Sequence, residues 1–242
     1  MSTIVEKIQQ IHQQIDEACR AGGRPVGSVA LLAVSKTFGV DAIAEAVAAG
    51  QQAFGENYIQ EAVEKILYFA EQPAYRAKGL VWHCIGPVQS NKTRLVAEHF
   101  DWVHTVDRLK IAQRLSDQRP AHLPPLQLCI QVNVDGGASK SGVPPHEVEA
   151  LVRAIALLPQ LCLRGVMSIP DVLPDFDAQR AVHQRVKNVF DDIAKLGLPQ
   201  LTQWDTVSLG MTADLQAAVQ AGSTMVRVGS GIFGHRNYAT AG

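Results

Sequence analysis

Short apolar segments alternate with amphipathic segments along almost the whole chain, and this alternation limits the possible folds more than any other feature. The apolar segments are typical of strands buried on both faces, as in a parallel sheet covered by helices. The predicted strands are residues 29–34, 52–54, 81–85, 102–104, 126–134, 163–167, 205–208 and 224–228. The predicted helices between them are residues 41–49, 58–69, 90–99, 107–116, 146–158, 176–196 and 213–221. Strands that alternate with helices imply crossover connections and a parallel sheet.

The number of units predicts how that sheet is arranged. Eight strand–helix units in 242 residues fit a closed (β/α)8 TIM barrel of the α/β class. An extra N-terminal helix precedes them, because Ile4, Ile8, Ile11 and Ile15 recur at helical spacing. We therefore expect one domain over residues 1–242, with the helix of residues 1–22 packing on the barrel. A doubly wound open sheet is the structural alternative.

Composition excludes several classes of function. A formal net charge of -1 gives no general attraction to nucleic acid or to a membrane surface. The N-terminus lacks the pattern of a signal peptide, and no run of about 18 apolar residues is present to span a bilayer. The cysteines lie far apart without metal-ligand spacing, which predicts buried free thiols in a reducing compartment; they are Cys19, Cys84, Cys129 and Cys162. We expect a cytoplasmic protein with no bound metal.

A lysine lies where the first predicted strand ends, in the segment Ser35-Lys36-Thr37. Functional groups of a TIM barrel gather at this C-terminal end of the strands. A lysine at a strand end is most often a solvated terminus. Partial burial at the mouth of an apolar barrel favours the uncharged amine, which can attack an aldehyde. Lys36 is thus either an end-cap or a nucleophile.

The exits of the last two strands carry glycines and hydroxyls. SLGMTAD supplies Ser208 and Thr212, and VRVGSGIFG supplies Gly229 and Ser230. Glycine lets backbone N–H groups approach an anion, and hydroxyls add further donors. Loops after strands seven and eight form the recurrent phosphate site of this fold. Two glycine turns that merely close the barrel are the alternative, but two hydroxyl-bearing loops at these exits favour phosphate binding.

Arg227 lies inside the last apolar strand, where a permanent cation needs a partner. On charge alone, a salt bridge with a neighbouring strand-exit residue such as Glu56 is favoured. Contact with a bound ligand competes with that interpretation because the phosphate-type loop is adjacent. A lysine that forms an imine opposite a phosphate loop describes either a pyridoxal phosphate site or a phosphosugar aldolase.

Seven segments together resemble one known family. They are AVSKT, FGENY, WHCIGPVQSNK, SKSG, RGVMSIP, SLGMTAD and GSTMVRVGSGIFG, in this order and spacing from about Leu31 to Gly234. They resemble the pyridoxal phosphate homeostasis protein family. The resemblance implies a single barrel of the alanine racemase N-terminal type that holds pyridoxal 5′-phosphate (PLP) as an imine.

The resemblance also implies roles for individual residues. It assigns the covalent imine to Lys36, the cofactor pocket to Asn57, the pyridine nitrogen to Arg227, and the phosphate segments to Ser208, Thr212, Gly229 and Ser230. It assigns no catalytic residue and no metal ligand. The chain departs from the family at Thr212 and Ser230, where the hydroxyl is kept, and at Phe38, where a polar or basic residue is usual. Lys140 in SKSG is interpreted as a solvated loop residue, with a second aldehyde contact as the alternative.

These implications favour a carrier over a catalyst. A carboxylate at the pyridine nitrogen would make the ring a strong electron sink, whereas an arginine disfavours that proton. Racemases and decarboxylases that share the barrel add a second domain, which we expect to be missing here. The leading hypothesis is a PLP-binding protein of intracellular PLP homeostasis, monomeric or weakly dimeric, with transient contacts to PLP-dependent apo-enzymes. A single-domain racemase-like enzyme and a phosphosugar lyase are the alternatives.

Overall fold

The computed structural model describes residues 2–137, 140–171 and 173–234. Its strands are β1 Ala30–Val34, β2 Ala53–Glu56, β3 Val81–Cys84, β4 Trp102–Val106, β5 Leu126–Gln131, β6 Leu161–Met167, β7 Thr206–Ser208 and β8 Met225–Val228. The described α-helices are α1 Ile4–Ala21, α2 Val40–Ala48, α3 Ile59–Glu71, α4 Pro73–Arg76, α5 Thr93–His99, α6 Leu109–Gln118, α7 Val148–Ile155, α8 Phe176–Lys195, α9 Leu215–Gln220 and α10 Ser230–Phe233. A short 3-10 turn, Pro145–Glu147, precedes α7.

The eight strands form one closed parallel barrel in chain order. Closure is made by β1 and β8, whose residues pair from Ala30 with Met225 to Ala33 with Val228. The predicted TIM barrel is therefore confirmed, and the open-sheet alternative is wrong. The predicted strand ends differ by a few residues; for example, β5 stops at Gln131, three residues before the predicted end.

The N-terminal helix α1 is fixed at its start and along one face. Thr3 and Glu6 form a capping box, in which the Thr3 hydroxyl accepts from the Glu6 N–H and the Glu6 carboxylate accepts from the Thr3 N–H. Ile8, Ile11 and Ile15 are buried, as the spacing predicts. The helix packs against α2, α9 and α10, so it covers the region where the barrel closes.

Two short helices were not predicted. These are α4 and α10, each of four residues, which is too short to show a helical period. The helix α10 begins at Ser230, inside the segment expected to be a glycine loop. In the described part of the chain, no helix has the length and apolar character needed to cross a bilayer.

Candidate functional site

A cavity of about 590 Å³ opens where the strands end. It is lined by Val34, Lys36, Phe38, Asn57, Ile85, Ile169, Met211, Thr212, Ala213, Arg227, Gly229, Ser230 and Gly234. These residues follow or belong to six of the eight strands, as expected for the C-terminal face of a barrel. Six of the seven site residues predicted from the sequence line this one cavity. The seventh, Ser208, is buried behind Arg227 and does not line it.

The residue before Lys36 is anchored by a buried ion pair. The Ser35 hydroxyl donates to Glu56 Oε1 at 2.6 Å, and the Ser35 carbonyl accepts from Lys65 Nζ at 3.1 Å. Lys65 Nζ also lies 2.9 Å from Glu56 Oε1, and both side chains are almost fully buried. Burial raises the pKa of the Glu56 carboxyl above its usual value, although Lys65 opposes that shift. The cluster holds the end of β1 in one place relative to α3.

The residue after Lys36 is held in a strained conformation. Thr37 has φ +68°, in the left-handed region that is unfavourable for a β-branched residue. Its backbone N–H donates to Glu61 Oε1 at 2.8 Å, and Glu61 is paired in turn with Lys65. Ser35 and Thr37 are both fixed to α3 side chains, so the half-buried Lys36 is presented to the cavity by a rigid turn.

The two hydroxyl-bearing loops meet across one wall of the cavity. The hydroxyls of Thr212 and Ser230 lie 3.3 Å apart, although 18 residues separate them in the chain. Gly210 permits the turn into this wall, because its φ is +88° and a Cβ there would lie 2.5 Å from the Cβ of Ala218. Asp214 holds the same loop by accepting from the Met211 N–H at 2.6 Å.

Asn57 reaches the cavity because a glycine packs against its backbone. A Cβ on Gly86 would lie 2.3 Å from the Asn57 carbonyl oxygen, so only glycine permits this contact between the exits of β2 and β3. The buried side-chain atom Asn57 Oδ1 has no hydrogen-bond partner among the described residues. A buried acceptor without a donor is unfavourable and is a natural contact for a ligand.

Arg227 lies on the cavity wall without a carboxylate in hydrogen-bond contact among the described residues. Its Nη1 donates to the Ser208 carbonyl at 2.6 Å and to the Ser208 hydroxyl at 2.8 Å, and its Nη2 donates to the Ser168 carbonyl at 2.9 Å. Burial lowers its pKa to about 10, so it stays charged at neutral pH. The expected salt bridge with Glu56 is wrong, since that carboxylate pairs with Lys65.

The sequence and structure of the chain match those of known proteins. The family model of the alanine racemase N-terminal domain matches residues 7–237. The pyridoxal phosphate homeostasis protein of Vibrio cholerae is 54% identical over 99% of both chains, and that of Escherichia coli K12 is 50% identical over 99% of both. The chain belongs to the pyridoxal phosphate homeostasis protein family.

Two solved structures are similar to this chain, one from the same family and one that shares the fold at lower sequence identity. PipY of Synechococcus elongatus with PLP bound has a TM-score of 0.80 and 33% identity, over 96% of this chain and 100% of that one. Alanine racemase of Corynebacterium glutamicum has a TM-score of 0.63 and 16% identity, over 98% of this chain and 63% of that one. At that identity, the racemase shows a shared fold alone.

In this member of the pyridoxal phosphate homeostasis protein family, a row of hydrogen-bonded polar side chains lies behind Arg227 and was not predicted from the sequence. His104 Nδ1 lies 3.0 Å from the Ser208 hydroxyl, and His104 Nε2 lies 2.9 Å from His83 Nδ1. The two histidines are on β3 and β4, and both are buried. The sequence feature that could have revealed them is the presence of a histidine inside each of two otherwise apolar strands, because polar residues are unusual in a barrel core.

The remaining candidates of this family member lie at the cavity rim. Lys140 does not line the cavity; its Nζ contacts Asp135 at 2.7 Å and Asp171 at 2.6 Å, linking the loops that follow β5 and β6. Phe38, which departs from the family pattern, lines the cavity and stacks on Phe233 with 5.1 Å between ring centroids. In the described residues, no group of three or more His, Cys, Asp or Glu is placed to hold a metal.

Proposed function

We propose that this protein binds PLP as an imine of Lys36 and takes part in PLP homeostasis without efficient catalysis. The observation that carries the proposal is the meeting of an amine, a hydroxyl-lined wall and a charged arginine in one cavity of about 590 Å³. Relatives named for PLP homeostasis, at about half sequence identity over the full chain, support the same function. PipY, which is similar over 96% of this chain, has been seen with PLP bound.

The residues of the cavity fit this cofactor. The unpartnered Asn57 Oδ1 needs a donor, which a hydroxyl or a protonated nitrogen of a ligand can provide. The hydroxyls of Thr212 and Ser230, beside Gly229, suit phosphate oxygens, which accept hydrogen bonds. Arg227 supplies a permanent positive charge that disfavours protonation of a ring nitrogen near it. Among these features, the Asn57 acceptor lacks a partner within the described residues, and such a ligand would supply one.

Each side chain has a defined task in the proposal. When bound, PLP supplies an aldehyde that condenses with an amine and releases one water. Lys36 supplies the amine from a turn that Ser35 and Thr37 hold rigid through α3. The hydroxyl-lined wall orients the phosphate, and the apolar side chains of Val34, Ile85 and Met211 exclude water from the rest of the cavity. Ser208 acts through Arg227.

The residues that line the cavity support the part of the proposal that excludes efficient catalysis. Racemisation requires a base that removes a proton on one face and an acid that returns it on the other. Among the described residues that line the cavity, the ionisable side chains are Lys36 and Arg227. Arg227 stays protonated at neutral pH, so Lys36 is at most one member of that pair. The proposal therefore favours holding and release of the cofactor over turnover.

The cellular setting forms part of the proposal. The four cysteines are free thiols, which suits the reducing cytoplasm. We propose that the protein is monomeric or weakly dimeric and meets PLP-dependent apo-enzymes transiently.

The absorption spectrum of the purified protein tests the proposal. We expect a visible imine band after loading with PLP, and reduction by borohydride should fix the added mass on the peptide that contains Lys36. Lys36→Ala should lose the band, whereas Lys195→Ala, at an exposed lysine paired with Asp192, should keep it. An unchanged band in Lys36→Ala would show that the imine site is wrong. Lys140→Ala tests the second aldehyde contact in the same way.

Activity assays separate the proposal from the two enzymatic alternatives. Amino-acid enantiomers should not interconvert or lose carbon dioxide at ordinary enzymatic rates, which are about 1–1000 s⁻¹. Turnover at such rates would favour a racemase-like enzyme. Cleavage of a phosphosugar aldehyde without PLP would favour a lyase that uses the same lysine.

A further inference from the structure

Four side chains form a continuous hydrogen-bonded chain through the barrel interior. Arg227 Nη1 contacts the Ser208 hydroxyl at 2.8 Å, that hydroxyl contacts His104 Nδ1 at 3.0 Å, and His104 Nε2 contacts His83 Nδ1 at 2.9 Å. The side chains come from β8, β7, β4 and β3, and all four residues are at most 3% exposed. One end lines the ligand cavity, and the other is stacked on Trp102 with 5.1 Å between ring centroids.

The arginine gives this chain one direction. Its guanidinium only donates, so the Ser208 hydroxyl accepts from Arg227. The hydrogen of that hydroxyl then has one described acceptor, His104 Nδ1. His104 must therefore carry its own hydrogen on Nε2, from which it donates to His83 Nδ1. His83 in turn carries its hydrogen on Nε2. The opposite direction would leave the buried serine hydrogen without an acceptor among these contacts.

The electrostatics support a chain of neutral rings. Burial lowers the pKa of His83 to about 3. Burial, together with the neighbouring His83 and the charge of Arg227, lowers the pKa of His104 well below its usual value. Uncharged imidazoles stabilise the guanidinium through oriented dipoles without adding a negative charge. The positive charge of Arg227 is therefore not neutralised by this side of the site.

We propose that Ser208, His104 and His83 are positioning residues, which hold the Arg227 guanidinium in one orientation at the cavity wall through a one-way chain of hydrogen bonds. The Ser208 and Ser168 carbonyls restrain the two terminal nitrogens. The serine hydroxyl adds a third contact, and its orientation is set by the two histidines behind it. The hydrogen-bond arrangement of these four side chains stands on the structure alone. The effect of that arrangement on a ligand rests on the proposed function.

Histidine tautomers test the chain without any ligand. Protein labelled with the heavy nitrogen isotope in histidine should show His83 and His104 as neutral rings protonated on Nε2. Ser208→Ala should shift the His104 nitrogen resonances and, through that ring, those of His83. The matched control is Ser223→Ala. Ser223 is equally buried, and its hydroxyl lies within hydrogen-bond distance of the Val207, Leu209 and Met225 carbonyls, with no hydrogen bond to either of these two described histidines. Rings protonated on Nδ1, or resonances indifferent to Ser208→Ala, would overturn the proposal.

PLP binding tests what the chain does for Arg227. Ser208→Ala and His104→Phe should each weaken PLP binding by about tenfold, the size expected for one charge-assisted hydrogen bond. Both should also move the pH midpoint of the imine absorbance, which a loss of packing alone would not do. Ser208→Thr should restore both values, because it keeps the hydroxyl. A positioning role would be contradicted if Ser208→Ala and Ser223→Ala had the same PLP affinity and the same pH midpoint of the imine absorbance. If the wild-type protein takes up no PLP, the proposed function fails, while the tautomers still decide the chain.

Discussion

The two faces of the barrel strands carry different chemistry. The face toward the helices is apolar, with fully buried side chains such as Phe54, Leu128 and Ile130 in one large cluster with helical residues. Among the described residues, the interior carries a smaller apolar cluster, Leu32, Val34, Ile85 and Met225, together with the polar side chains of His83, His104 and Arg227. Burying polar groups is unfavourable unless they are hydrogen-bonded. These polar side chains are compatible with a stable barrel because they bond to one another and to neighbouring carbonyls.

The difference assigns separate tasks to the two faces. Packing against helices supplies most of the hydrophobic stabilisation of the barrel, because that is where most apolar area is buried. The interior is then available for a site, provided that its hydrogen bonds are complete. Substitutions on the outer face should change the free energy of unfolding, whereas those on the inner face should change ligand binding.

The largest expected difference in the free energy of unfolding is between Phe54→Ala on the outer face and Val34→Ala in the interior. Phe54 is fully buried, with its ring centroid 5.4 Å from that of Trp82, so its truncation should lower the free energy of unfolding by about 3–5 kcal/mol. Val34 borders a cavity that already exists, and Val34→Ala should lose about 1 kcal/mol. Urea denaturation of both variants measures the difference. Equal losses would show that the interior supports the fold as much as the outer layer does.

The polar cluster beside Lys36 is the exception on the outer face, and Lys65→Met tests it. Removing the cation leaves Glu56 buried with the Ser35 hydroxyl as its remaining described donor. The free energy of unfolding should fall by about 3 kcal/mol, the low end for breaking a buried pair. The exposed pair of Arg153 and Glu149 is the control, and Arg153→Met should lose about 0.5 kcal/mol or less.

The pH dependence of Lys65→Met has a definite sign. Without Lys65 the folded-state pKa of Glu56, already raised by burial, should rise further above its unfolded value. The folded state then binds the proton more tightly, so the penalty is absent at low pH and grows as pH rises through the folded pKa. A loss that is equally large at acidic and neutral pH would contradict this origin. Lys65→Met combined with Glu56→Gln should recover part of the stability.

The barrel was predictable from the sequence because buried parallel strands form apolar runs that helical segments separate. Lys36, Asn57 and Thr212 were brought together by the rule that strand exits share one face, and the cavity follows that rule. The predicted salt bridge between Arg227 and Glu56 is wrong because successive residues of a strand point to opposite faces, and Glu56 lies one residue out of position. Gly55 faces the interior against Leu32 and Ile85, so the next residue faces α3. Which residue of an exit points inward depends on strand register, which an apolar run does not define.

The polar chain and the strained turn were beyond sequence reasoning for a different reason. His104 and Ser208 are 104 residues apart, and their contact depends on the closure and tilt of the whole barrel. The left-handed conformation of Thr37 contradicts its local preference and is maintained by Glu61 from another element. Local pattern therefore predicts the outer, apolar face well, and the polar interior only after the register of all eight strands is known.

The smallest expected effect concerns the loop that carries Met211 and Thr212 to the cavity. Asp214 holds it by accepting from the Met211 N–H, and its other oxygen lies 2.9 Å from His183 Nε2 on α8. Burial opposes ionisation, but the hydrogen bonds from His183 and Met211 outweigh it and lower the pKa of Asp214 below 3.8. A lowered carboxyl pKa adds stability that is complete well above pH 3.8 and is lost as pH falls through the folded pKa.

Asp214→Asn removes this charge and keeps an oxygen that can accept from Met211. It should lower the free energy of unfolding by about 1 kcal/mol at neutral pH, as expected for one weakened charged hydrogen bond. The deficit relative to the wild type should shrink as pH falls below 3.8, because the wild-type carboxyl is then protonated as well. Urea denaturation at several acidic pH values measures this convergence. A deficit that stays constant would mean that the amide's changed hydrogen bonding beside His183, and not the lost charge, destabilises the loop.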